Sequence, residues 1–392
     1  MINISVVIPI FNTAPYLKEC LDSVLNQTFT DFEVICVNDG SNDSSLEILK
    51  KYQQKDNRIK IINQENKGAG AARNVGIDHS RGEYILFLDS DDYLDKDTLN
   101  DCYEIAHSKS LDILLFKIIN FDNETYKTSR LSYFEMKFLN DLMGDKIFSW
   151  KDVQHRLFDV SITAPGKLFR KDLIQNVRFP ENIIFEDNVF FIRLIFNAKR
   201  MYLYDKFLYY RRLRSDSVTN SYYEKFSDCI EAYSLIEEHI KKTGNYYVLE
   251  DQFFNRKCQD VYTRFSQLPS NLKPEYFDKI KEDFLKNQAA LEKDGTLKVC
   301  NKRSLHIYNT SLTSDTYKEF ELDVIIFDLS HELDKCRLNN NLLKIKYEDT
   351  IHSMKKEYKD EMALIMNSNS WKLTKIFRVI GNNFKKLYSH LV

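Results

Sequence analysis

Long apolar runs are missing from this 392-residue sequence. No stretch approaches the roughly 18 uninterrupted apolar residues that a membrane-spanning helix needs. The amino terminus has no basic n-region, and its apolar run, residues 4–10, has the length of a β-strand, which argues against a signal peptide. The sequence therefore predicts a protein that is made and kept in the cytoplasm.

The sequence also lacks an excess of either charge and any cluster of cysteines. Its 56 basic and 58 acidic residues give a net charge of -2, so no overall field favours nucleic acid, and we expect no nucleic-acid partner. The cysteines stand singly, without CxxC or CxxH spacing, and mostly among apolar residues, which predicts reduced thiols. They are Cys20, Cys36, Cys102, Cys229, Cys258, Cys300 and Cys336.

Short β-branched runs alternate with helical spacing over the first third of the chain. The predicted strands are almost continuously apolar, which is typical of strands buried on both faces. This alternation predicts an α/β fold, a mostly parallel sheet flanked by helices, with ligands bound beyond the carboxyl ends of the strands. The predicted strands are 4–10, 32–38, 58–62 and 84–88, and the predicted helices are 15–26, 44–54 (capped by Asp43 or Ser44) and 69–80.

Helical segments dominate from about residue 218, with no Gly-, Pro- or Ser-rich linker at the boundary. We predict a mainly helical domain over 219–328, in which 324–327 is either a strand or a buried helix turn. Apolar residues spaced by three and four predict a long helix over 329–366. This helix is either a coiled-coil seam that joins copies of the chain or a helix packed on its own chain.

Two carboxylates lie in the segment 38–43, directly after the second predicted strand. Gly40 permits a tight turn there and places Asp39 at the mouth of the sheet. Asp39 could accept a hydrogen bond from a base or a ribose. The alternative is an Asx turn in which Asp43 caps the following helix, with no ligand involved.

Three carboxylates, Asp89, Asp91 and Asp92, stand within four residues after the fourth predicted strand. They repel one another unless a cation or a helix N-terminus compensates them. In an extended chain Asp89 and Asp91 lie on the same side and can approach one cation, and their oxygen ligands suit Mg²⁺ or Mn²⁺ bound together with substrate phosphates. The alternative, a cap for the next helix, applies to Asp92 or Asp95.

The segment 66–76 contains a Gly-x-Gly sequence but has Arg73 where a dinucleotide loop needs its third glycine. It also follows the third strand and not the first, so we do not predict a dinucleotide site. Its small residues allow a helix to approach the sheet or a nucleotide closely. Arg73 either pairs with an acidic neighbour or reaches the nucleotide.

Four stretches, 7–12, 39–41, 66–76 and 89–92, resemble in order and spacing the family 2 glycosyltransferases with the GT-A fold. The resemblance covers about residues 1–218 and implies a Rossmann-like catalytic domain of GT-A type. It implies a UDP-sugar donor, Mn²⁺ or Mg²⁺ as cofactor, Asp91 as the metal ligand, Asp39 at the uracil and Asp89 nearer the ribose. The further donor-binding residues that it implies in these stretches are Pro9, Asn12, Asn66, Gly68, Arg73 and Ser90.

The same resemblance points to an acidic pair, Glu186 and Asp187. It implies that Asp187 removes the proton from the acceptor hydroxyl, because inversion needs one base on the face opposite the leaving group. The alternative for this pair is a charge pair at a helix N-terminus.

Two further segments are similar to motifs of the family. Residues 210–217 are similar to a loop that closes over the pyrophosphate, which adds Arg212, Arg214 and Ser217 to the donor site; a solvated basic turn is the alternative. Residues 163–169 stand at the acceptor-side motif, although Pro165 replaces the Trp of many relatives. Lys167 and Glu186 are the acceptor-side candidates.

Residues 369–392 carry five basic and no acidic side chains, with apolar residues on one helical face. This pattern predicts a basic amphipathic helix over 367–392 that attaches the enzyme to an anionic membrane surface, near a lipid-linked acceptor. Docking of this helix on its own chain is the alternative.

The sequence favours an inverting transferase that moves a sugar to a hydroxyl of a glycan-type acceptor, and the resemblance implies a place in bacterial surface polysaccharide assembly. A sugar nucleotidyltransferase is one alternative, although no Gly-rich phosphate loop follows the first strand. A non-enzymatic scaffold with a degenerate catalytic unit is the other. The retained acidic residues Asp39, Asp89, Asp91 and Asp187 argue against degeneracy.

Overall fold

The computed structural model of the chain describes residues 2–214, 223–294, 296–339, 347–356 and 358–360. The chain divides into two compact units, Met1–Leu312 and Thr313–Val392. The predicted boundaries at 218 and 328 do not coincide with this division. The assignment of 219–328 as a separate domain stays a prediction.

A single nine-stranded sheet forms the centre of the first unit, counted over the described residues. The strand order is β3-β2-β1-β4-β8-β6-β9-β5, and β7 pairs with β6. Strands β1 to β4 pair in parallel, as do β6 and β9, whereas β5, β7 and β8 pair antiparallel. The strands are β1 Ile4–Ile10, β2 Phe32–Asp39, β3 Ile59–Gln64, β4 Tyr84–Phe87, β5 Tyr93–Leu94, β6 Ile113–Asp122, β7 Thr128–Ser129, β8 Lys167–Arg170 and β9 Met201–Leu213.

Strand β1 is buried along its whole length although it contains Pro9. The carbonyl of Val7 accepts a hydrogen bond from the Leu88 backbone at 3.0 Å, so the backbone polar groups of Val7 point toward β4. The backbone nitrogen of Pro9, two residues later, points to the same side. The pairing with β4 has ended there at Val7. A missing N–H is therefore tolerated at this position of a central strand.

Helices flank the sheet, and helices, 3₁₀ segments and loops make up the rest of the described chain. The seven elements predicted in the first third are present with ends that differ by at most two residues, which confirms the predicted α/β fold class. Two 3₁₀ segments occur at Trp150–Asp159 and Tyr223–Lys225. The helices are α1 Ala14–Leu25, α2 Ser45–Gln53, α3 Ala69–His79, α4 Thr98–Ser108, α5 Ser132–Glu135, α6 Lys137–Met143, α7 Lys171–Ile174, α8 Glu186–Ile195, α9 Asp228–Lys242, α10 Tyr246–Gln267, α11 Lys273–Asp294, α12 Thr296–Val299, α13 Lys302–Thr313 and α14 Tyr317–Asn339.

Helices α9 and α10 belong to the same unit as the sheet. The ring of His239 in α9 stacks on Phe196 at the end of α8, with 5.8 Å between ring centroids. The side chain of Gln252 in α10 bonds the backbone of Gln154 at 2.6 Å and of Leu157 at 3.1 Å. Helix α9 therefore packs against the end of α8, which leads into β9. Helix α10 packs against the 3₁₀ segment that precedes β8.

The second unit begins with α14, which contains residues 324–327 in helical form, so the strand alternative for them is wrong. This helix begins at Tyr317, twelve residues before the predicted long helix. The choice between a coiled coil and a helix packed on its own chain stays open, and residues 369–392 lie outside the described residues. No helix in the described part of the chain is long and apolar enough to span a membrane.

Candidate active site

The carboxyl ends of β1, β2 and β4 meet at one edge of the sheet. Asn12 stands just beyond β1, Asp39 ends β2, and Asp89 stands just beyond β4. Parallel pairing places the three positions together because the strands end at the same edge. This edge is the centre of the candidate site.

Asp39 is buried and holds the segment that follows β3. Its Oδ1 accepts hydrogen bonds from the Gln64 amide at 2.7 Å and the Lys67 backbone at 2.9 Å, and its Oδ2 accepts one from the Gly68 backbone at 2.8 Å. The turn after Asp39 requires Gly40, which has φ +72° and whose Cβ, if present, would lie 2.9 Å from the Asn66 nitrogen. Asn66 and Gly68 thus lie directly against the Asp39 turn.

Asn12 joins the ends of β1 and β2. It has φ +52°, a left-handed conformation that Asn adopts more readily than most residues. Its backbone N–H donates to Ser41 Oγ at 3.2 Å, and its Oδ1 accepts from the Asn42 backbone at 2.8 Å. Asp43 accepts from the Ala14 backbone at 2.9 Å, so it fixes the start of α1. Asp43 Oδ1 also accepts from the Ser45 backbone at 3.0 Å, which is the Asx turn before α2 that the sequence offers as an alternative.

Pro9 and Ser90, which the resemblance assigns to the donor site, are both buried. Ser90 Oγ accepts a hydrogen bond from the Thr13 hydroxyl at 2.9 Å. The side chains of Pro9 and Ser90 therefore lie inside the protein, beneath the exposed surface of the candidate site.

Arg73 connects the two acidic clusters. One of its terminal nitrogens contacts Asp89 Oδ1 at 2.9 Å, and the other contacts Glu186 Oε1 at 2.6 Å and Asp187 Oδ1 at 3.1 Å. The Arg73 side chain is almost fully buried, so water screens these ion pairs little. Of the two roles predicted for Arg73, pairing with acidic residues is the one observed.

Gly70 allows this connection because α3 approaches the chain before α8 very closely. A Cβ at Gly70 would lie 2.6 Å from the Pro180 carbonyl oxygen and 3.1 Å from Glu186 Cγ. The sequence predicts that the helix with the small residues, α3, approaches its neighbours closely. It does so at the chain before α8, through Gly70, and at the sheet, where Gly76 lies against Val7.

Asp91 contacts two arginines, Arg212 near the end of β9 and Arg214 just after it. Its Oδ2 accepts from Arg214 Nε at 2.9 Å, and its backbone carbonyl accepts from Arg212 Nε at 2.7 Å. Burial, followed by the charge of Asp89, raises the pKa of Asp91, whereas Arg214 opposes the rise. The structure thus puts Asp91 where negative charge accumulates.

Asp92 is a buried structural carboxylate and not a helix cap. It accepts from the Tyr209 hydroxyl at 2.6 Å and from the Arg212 backbone at 2.7 Å. Helix α4 begins later, at Thr98, and the Asp95 side chain accepts from the Asp97 backbone at 3.2 Å. The capping alternative is therefore wrong for Asp92, while Asp95 does lie in the turn before α4.

Arg212 is buried among partners of its own chain. Besides the Asp91 carbonyl, it contacts Glu19 at 2.5 Å and Asn123 at 2.9 Å. The guanidinium groups of Arg212 and Arg214 each lie 5.0 Å from the Tyr16 ring. The solvated-turn alternative is wrong for Arg212, and Ser217 lies outside the described residues.

Glu186 and Asp187 occupy the first turn of α8, which begins after Phe185 in a left-handed conformation with φ +69°. Asp187 Oδ2 also accepts from the Ala164 backbone at 3.1 Å. Burial, then the charge of Asp187, raises the pKa of Glu186 to about 7. Burial also raises the pKa of Asp187, which Arg73 opposes. The alternative, a pair of charges at a helix N-terminus, is therefore observed, and the role of Asp187 as a base stays a prediction.

Lys167 is fully buried close to this pair. Its ammonium group donates to the Thr163 carbonyl at 2.5 Å and lies 5.0 Å from the Phe191 ring. Burial lowers the pKa of Lys167 to about 7, although Asp187 opposes the shift. Lys167 is therefore a buried neighbour of Asp187, and its side chain does not reach the protein surface.

Sequence reasoning missed Tyr209, whose hydroxyl joins β9 to the end of β4. It donates to Asp92 and accepts from the Asp89 backbone at 3.1 Å. Its signal in the sequence is its place in the aromatic-rich run 201–213, for which local patterns predict no strand.

The model of the family described as glycosyl transferase family 2 matches residues 5–163. The glycosyltransferase GlyG of Streptococcus pneumoniae is 32% identical over 250 residues, which cover 58% of this chain and 81% of GlyG. The chain belongs to glycosyl transferase family 2.

Other members of this family match the chain over different shares of their length. The glycosyltransferase GlyA of Streptococcus pneumoniae is 31% identical over 57% of this chain, a match that spans only 32% of GlyA. The poly(ribitol-phosphate) beta-N-acetylglucosaminyltransferase TarS of Staphylococcus aureus is 29% identical over 82% of this chain and 55% of TarS. This family 2 chain therefore corresponds to part of some larger relatives.

The solved structure of TarS residues 1–349 in complex with UDP-GlcNAc has the same fold. Its TM-score is 0.67 at 23% identity, and the match covers 84% of this chain and 92% of that one. The predicted GT-A type fold is confirmed by this likeness.

Proposed function

We propose that this family 2 chain is an inverting glycosyltransferase that moves a sugar from a UDP-sugar to a hydroxyl of a glycan-type acceptor. The observation that carries the proposal is the position of Arg73. It pairs with Asp89, on the side where donor binding is expected, and with Asp187, the expected base. One buried side chain thus holds both acidic clusters at a fixed spacing, as a single displacement between donor and acceptor requires.

The donor side is the edge formed by β1, β2 and β4. We assign Asp39 to a hydrogen bond with the base. The Gly68 backbone donates to Asp39, Asn66 lies against the adjacent Gly40, and Asn12 bonds the turn that follows. TarS, which shares the fold, has been crystallised with UDP-GlcNAc and with UDP. These complexes favour a uridine nucleotide at the corresponding edge of this chain.

Asp91 is the residue that we assign to a divalent cation, Mn²⁺ or Mg²⁺. Among the described residues, no three His, Cys, Asp or Glu side chains cluster as a metal site of their own. The fit is nevertheless reasonable, because such ions take one or two carboxylates together with substrate phosphates. The raised pKa of Asp91 reflects burial beside another carboxylate, a setting that a cation would relieve. When bound, the cation would neutralise charge on the leaving diphosphate.

Arg214 pairs with Asp91 at 2.9 Å, so its guanidinium lies beside the carboxylate that we assign to the cation and the diphosphate. Arginine forks suit phosphate oxygens and stabilise the charge that develops as UDP leaves. Arg212, by contrast, keeps the strand β9 attached to the end of β4 through buried contacts. We therefore assign donor contact to Arg214 and support to Arg212.

Asp187 is the base in this proposal. Arg73 and the Ala164 backbone hold its two oxygens in place. A carboxylate fixed in this way can take the proton of an acceptor hydroxyl while the hydroxyl oxygen attacks the anomeric carbon from the face opposite UDP. Because one base acts and no covalent enzyme intermediate forms, the configuration inverts.

The acceptor class is proposed from the relatives. TarS and a beta-glucosyltransferase of Bacillus spizizenii are both named for sugar transfer to poly(ribitol-phosphate). A cholesterol galactosyltransferase of Borreliella burgdorferi, 31% identical over 67% of this chain, is named for a different acceptor. We propose a bacterial surface glycan, free or lipid-linked, as the acceptor of this chain.

The first experiment measures UDP release from UDP-glucose, UDP-galactose and UDP-GlcNAc, with water in the acceptor's place. We expect release from at least one donor with Mn²⁺ or Mg²⁺ and none with a chelator. Release of nucleotide only in the presence of pyrophosphate would indicate a nucleotidyltransferase, and no release from any donor would contradict the proposal.

Two variants then separate the roles. Asp91→Asn should abolish metal-dependent donor binding. Asp187→Asn should keep donor binding but lower kcat by at least about 100-fold, the usual range for loss of a base. Glu181→Gln, an exposed residue before the same helix, is the matched control and should behave as the parent chain. Normal turnover in Asp187→Asn would refute the assignment of the base.

A further inference from the structure

The segment that leads into the acidic pair is held by a helix from outside the family-matched region. Residues 5–163 match the family model, whereas α9 begins at Asp228. The Asp228 carboxylate, through Oδ2, accepts a hydrogen bond from the Ile184 backbone at 3.0 Å. Ile184 stands three residues before Asp187, so this contact fixes the peptide from which the base extends.

The residue between this contact and the acidic pair has an unfavourable backbone. Phe185 has φ +69° and ψ 21°, a left-handed conformation that is costly for a bulky side chain. Such conformations persist only when the surrounding structure holds them from several sides. Without those constraints, Phe185 would relax to negative φ and turn the first residues of α8.

The phenylalanine ring is held by the same group of helices. The guanidinium of Arg264, in α10, lies 4.9 Å from the centre of the Phe185 ring and 5.7 Å from that of Phe226. Arg264 therefore contacts both the ring of Phe185, the strained residue, and the ring of Phe226, which precedes α9.

Helices α9 and α10 are fixed to each other close to these contacts. Asp260 Oδ2, in α10, accepts from the hydroxyl of Tyr233, in α9, at 2.6 Å, which joins the two helices. Arg256 Nε, in α10 itself, donates to the same oxygen at 2.9 Å. Asp228 therefore acts from a rigid support. Its contact is more than a fluctuating surface hydrogen bond.

We propose that Asp228 is a positioning residue for the base: it holds the Ile184–Phe185 backbone so that Asp187 faces the acceptor hydroxyl. The inference rests on the proposed role of Asp187. Arg73 and the Ala164 backbone hold the Asp187 carboxylate from the sheet side, and Asp228 holds its backbone from the helical side. The helical region thereby contributes to the chemistry although it provides no reacting group.

The test compares three variants of the full chain. Asp228→Ala removes the acceptor of the Ile184 N–H, whereas Asp228→Asn keeps an oxygen that accepts the same bond. Glu231→Ala removes an exposed carboxylate from the first turn of the same helix and controls for the effect of charge on that helix. The donor is whichever of UDP-glucose, UDP-galactose or UDP-GlcNAc gives the fastest UDP release with Mn²⁺ for the parent chain.

We expect Asp228→Ala to lower kcat for UDP release by about 10- to 100-fold, as a small displacement of a catalytic group does, with an unchanged Kd for the donor. Asp228→Asn should regain most of the lost kcat, and Glu231→Ala should keep the parent value. Unchanged kcat in Asp228→Ala would overturn the inference, as would an equal loss in Glu231→Ala or in Asp228→Asn.

A second measurement does not depend on turnover. Hydrogen exchange of the peptide that contains Ile184 should speed up in Asp228→Ala and stay at the parent rate in Glu231→Ala. Unchanged exchange would also overturn the inference. Failure of the proposed function gives a different result, because the parent chain would then release no UDP from any donor. Failure of the base assignment would let Asp187→Asn release UDP normally, whereas failure of this inference leaves the Asp187→Asn defect intact.

Discussion

Glu186 is a buried carboxyl group whose environment disfavours its charge. Burial, followed by the charge of Asp187, raises its pKa to about 7, above the usual value for Glu of about 4.3. The stability that the protonated group contributes is fully present below the lower value. It is lost as the pH rises through the higher one, because only the unfolded chain releases the proton in between.

This pKa shift predicts the pH dependence of a Glu186→Gln variant. As the pH rises from about 5 to about 8, the free energy of unfolding of the parent chain should fall relative to that of the variant. Denaturant unfolding of both proteins at the two pH values measures the difference. Glu181→Gln, which changes an exposed residue, should show no such trend, and a difference that grows in the opposite direction would contradict the prediction.

The hydroxyl of Tyr209 predicts a stability difference between two neighbouring substitutions. Tyr209→Phe leaves the buried Asp92 carboxylate with one hydrogen bond fewer, which should cost about 1–3 kcal/mol. Tyr210→Phe, on the same strand, keeps the stacking of its ring on Tyr93 at 4.6 Å and should cost far less. Urea unfolding of the two variants compares them, and equal losses would show that the hydroxyl of Tyr209 is not required.

For single residues, the sequence predicts which side chains lie at the site edge of the sheet, but it does not predict which of them form pairs. Asp39 and Asp89 stand where their strands end, so their meeting follows from strand order alone. The pairing of Arg73 with Glu186 joins residues 113 positions apart, and no local pattern fixes such a contact. For the same reason Asp228 and Tyr209 gave no usable signal in the sequence.

Gly76, in α3, packs so closely against strand β1 that we expect any larger residue there to clash. A Cβ at this position would lie 2.2 Å from Val7 Cγ1, inside the fully buried strand β1. Alanine is favoured over glycine within a helix by about 1 kcal/mol. Overpacking in a core typically costs about 1–3 kcal/mol, so we expect Gly76→Ala to be destabilising overall.

A double-mutant cycle checks the cause. Val7→Ala alone should destabilise the chain through a cavity, but in the Gly76→Ala background it should cost less, because it makes room for the new methyl group. Thermal or denaturant unfolding of the four proteins gives the coupling. Additive losses would mean that the conflict lies elsewhere.

The elements of the first third could be predicted because each strand is apolar throughout and is followed by a helix of clear spacing. Strands β5 to β9 could not be placed in the same way. Strand β9 pairs in parallel with β6, with register shifts around Lys117, and β8 pairs antiparallel with both neighbours. Such pairings depend on partners far apart in the chain, and local periodicity does not contain them.

The division into two units predicts where a surface-binding function would reside. All the site residues that the structure describes lie in Met1–Leu312. The basic segment 369–392 belongs to the other unit and lies outside the described residues, so its attachment to a membrane stays a prediction from the sequence. If the prediction holds, binding to vesicles and release of UDP should be separable.

Liposome flotation tests this separation. The full chain should float with vesicles that contain anionic phospholipid and not with neutral ones, because basic side chains drive the binding. A chain that ends at Asn367 should stay at the bottom of the gradient and keep the UDP release of the full chain. Equal flotation of the two chains would favour docking of the segment on its own chain.

The whole molecule could be predicted as a GT-A type sheet with a helical addition, since the motifs of the first 218 residues have a fixed order. The role of the addition could not be predicted. Its helices carry no motif of their own, and their contribution depends on contacts such as that between Asp228 and Ile184, which exist only after both regions have folded.

The three hydrogen bonds to Asp39 have a consequence for the thermodynamics of ligand binding. A side chain that is immobilised only when a ligand arrives costs about 0.5–1.5 kcal/mol in lost rotamer entropy. Gln64, Lys67 and Gly68 already hold both oxygens of Asp39, so that entropy is lost during folding. A group that binds this carboxylate therefore meets a fixed acceptor, and its orientation is selected without a further entropic penalty from the protein side.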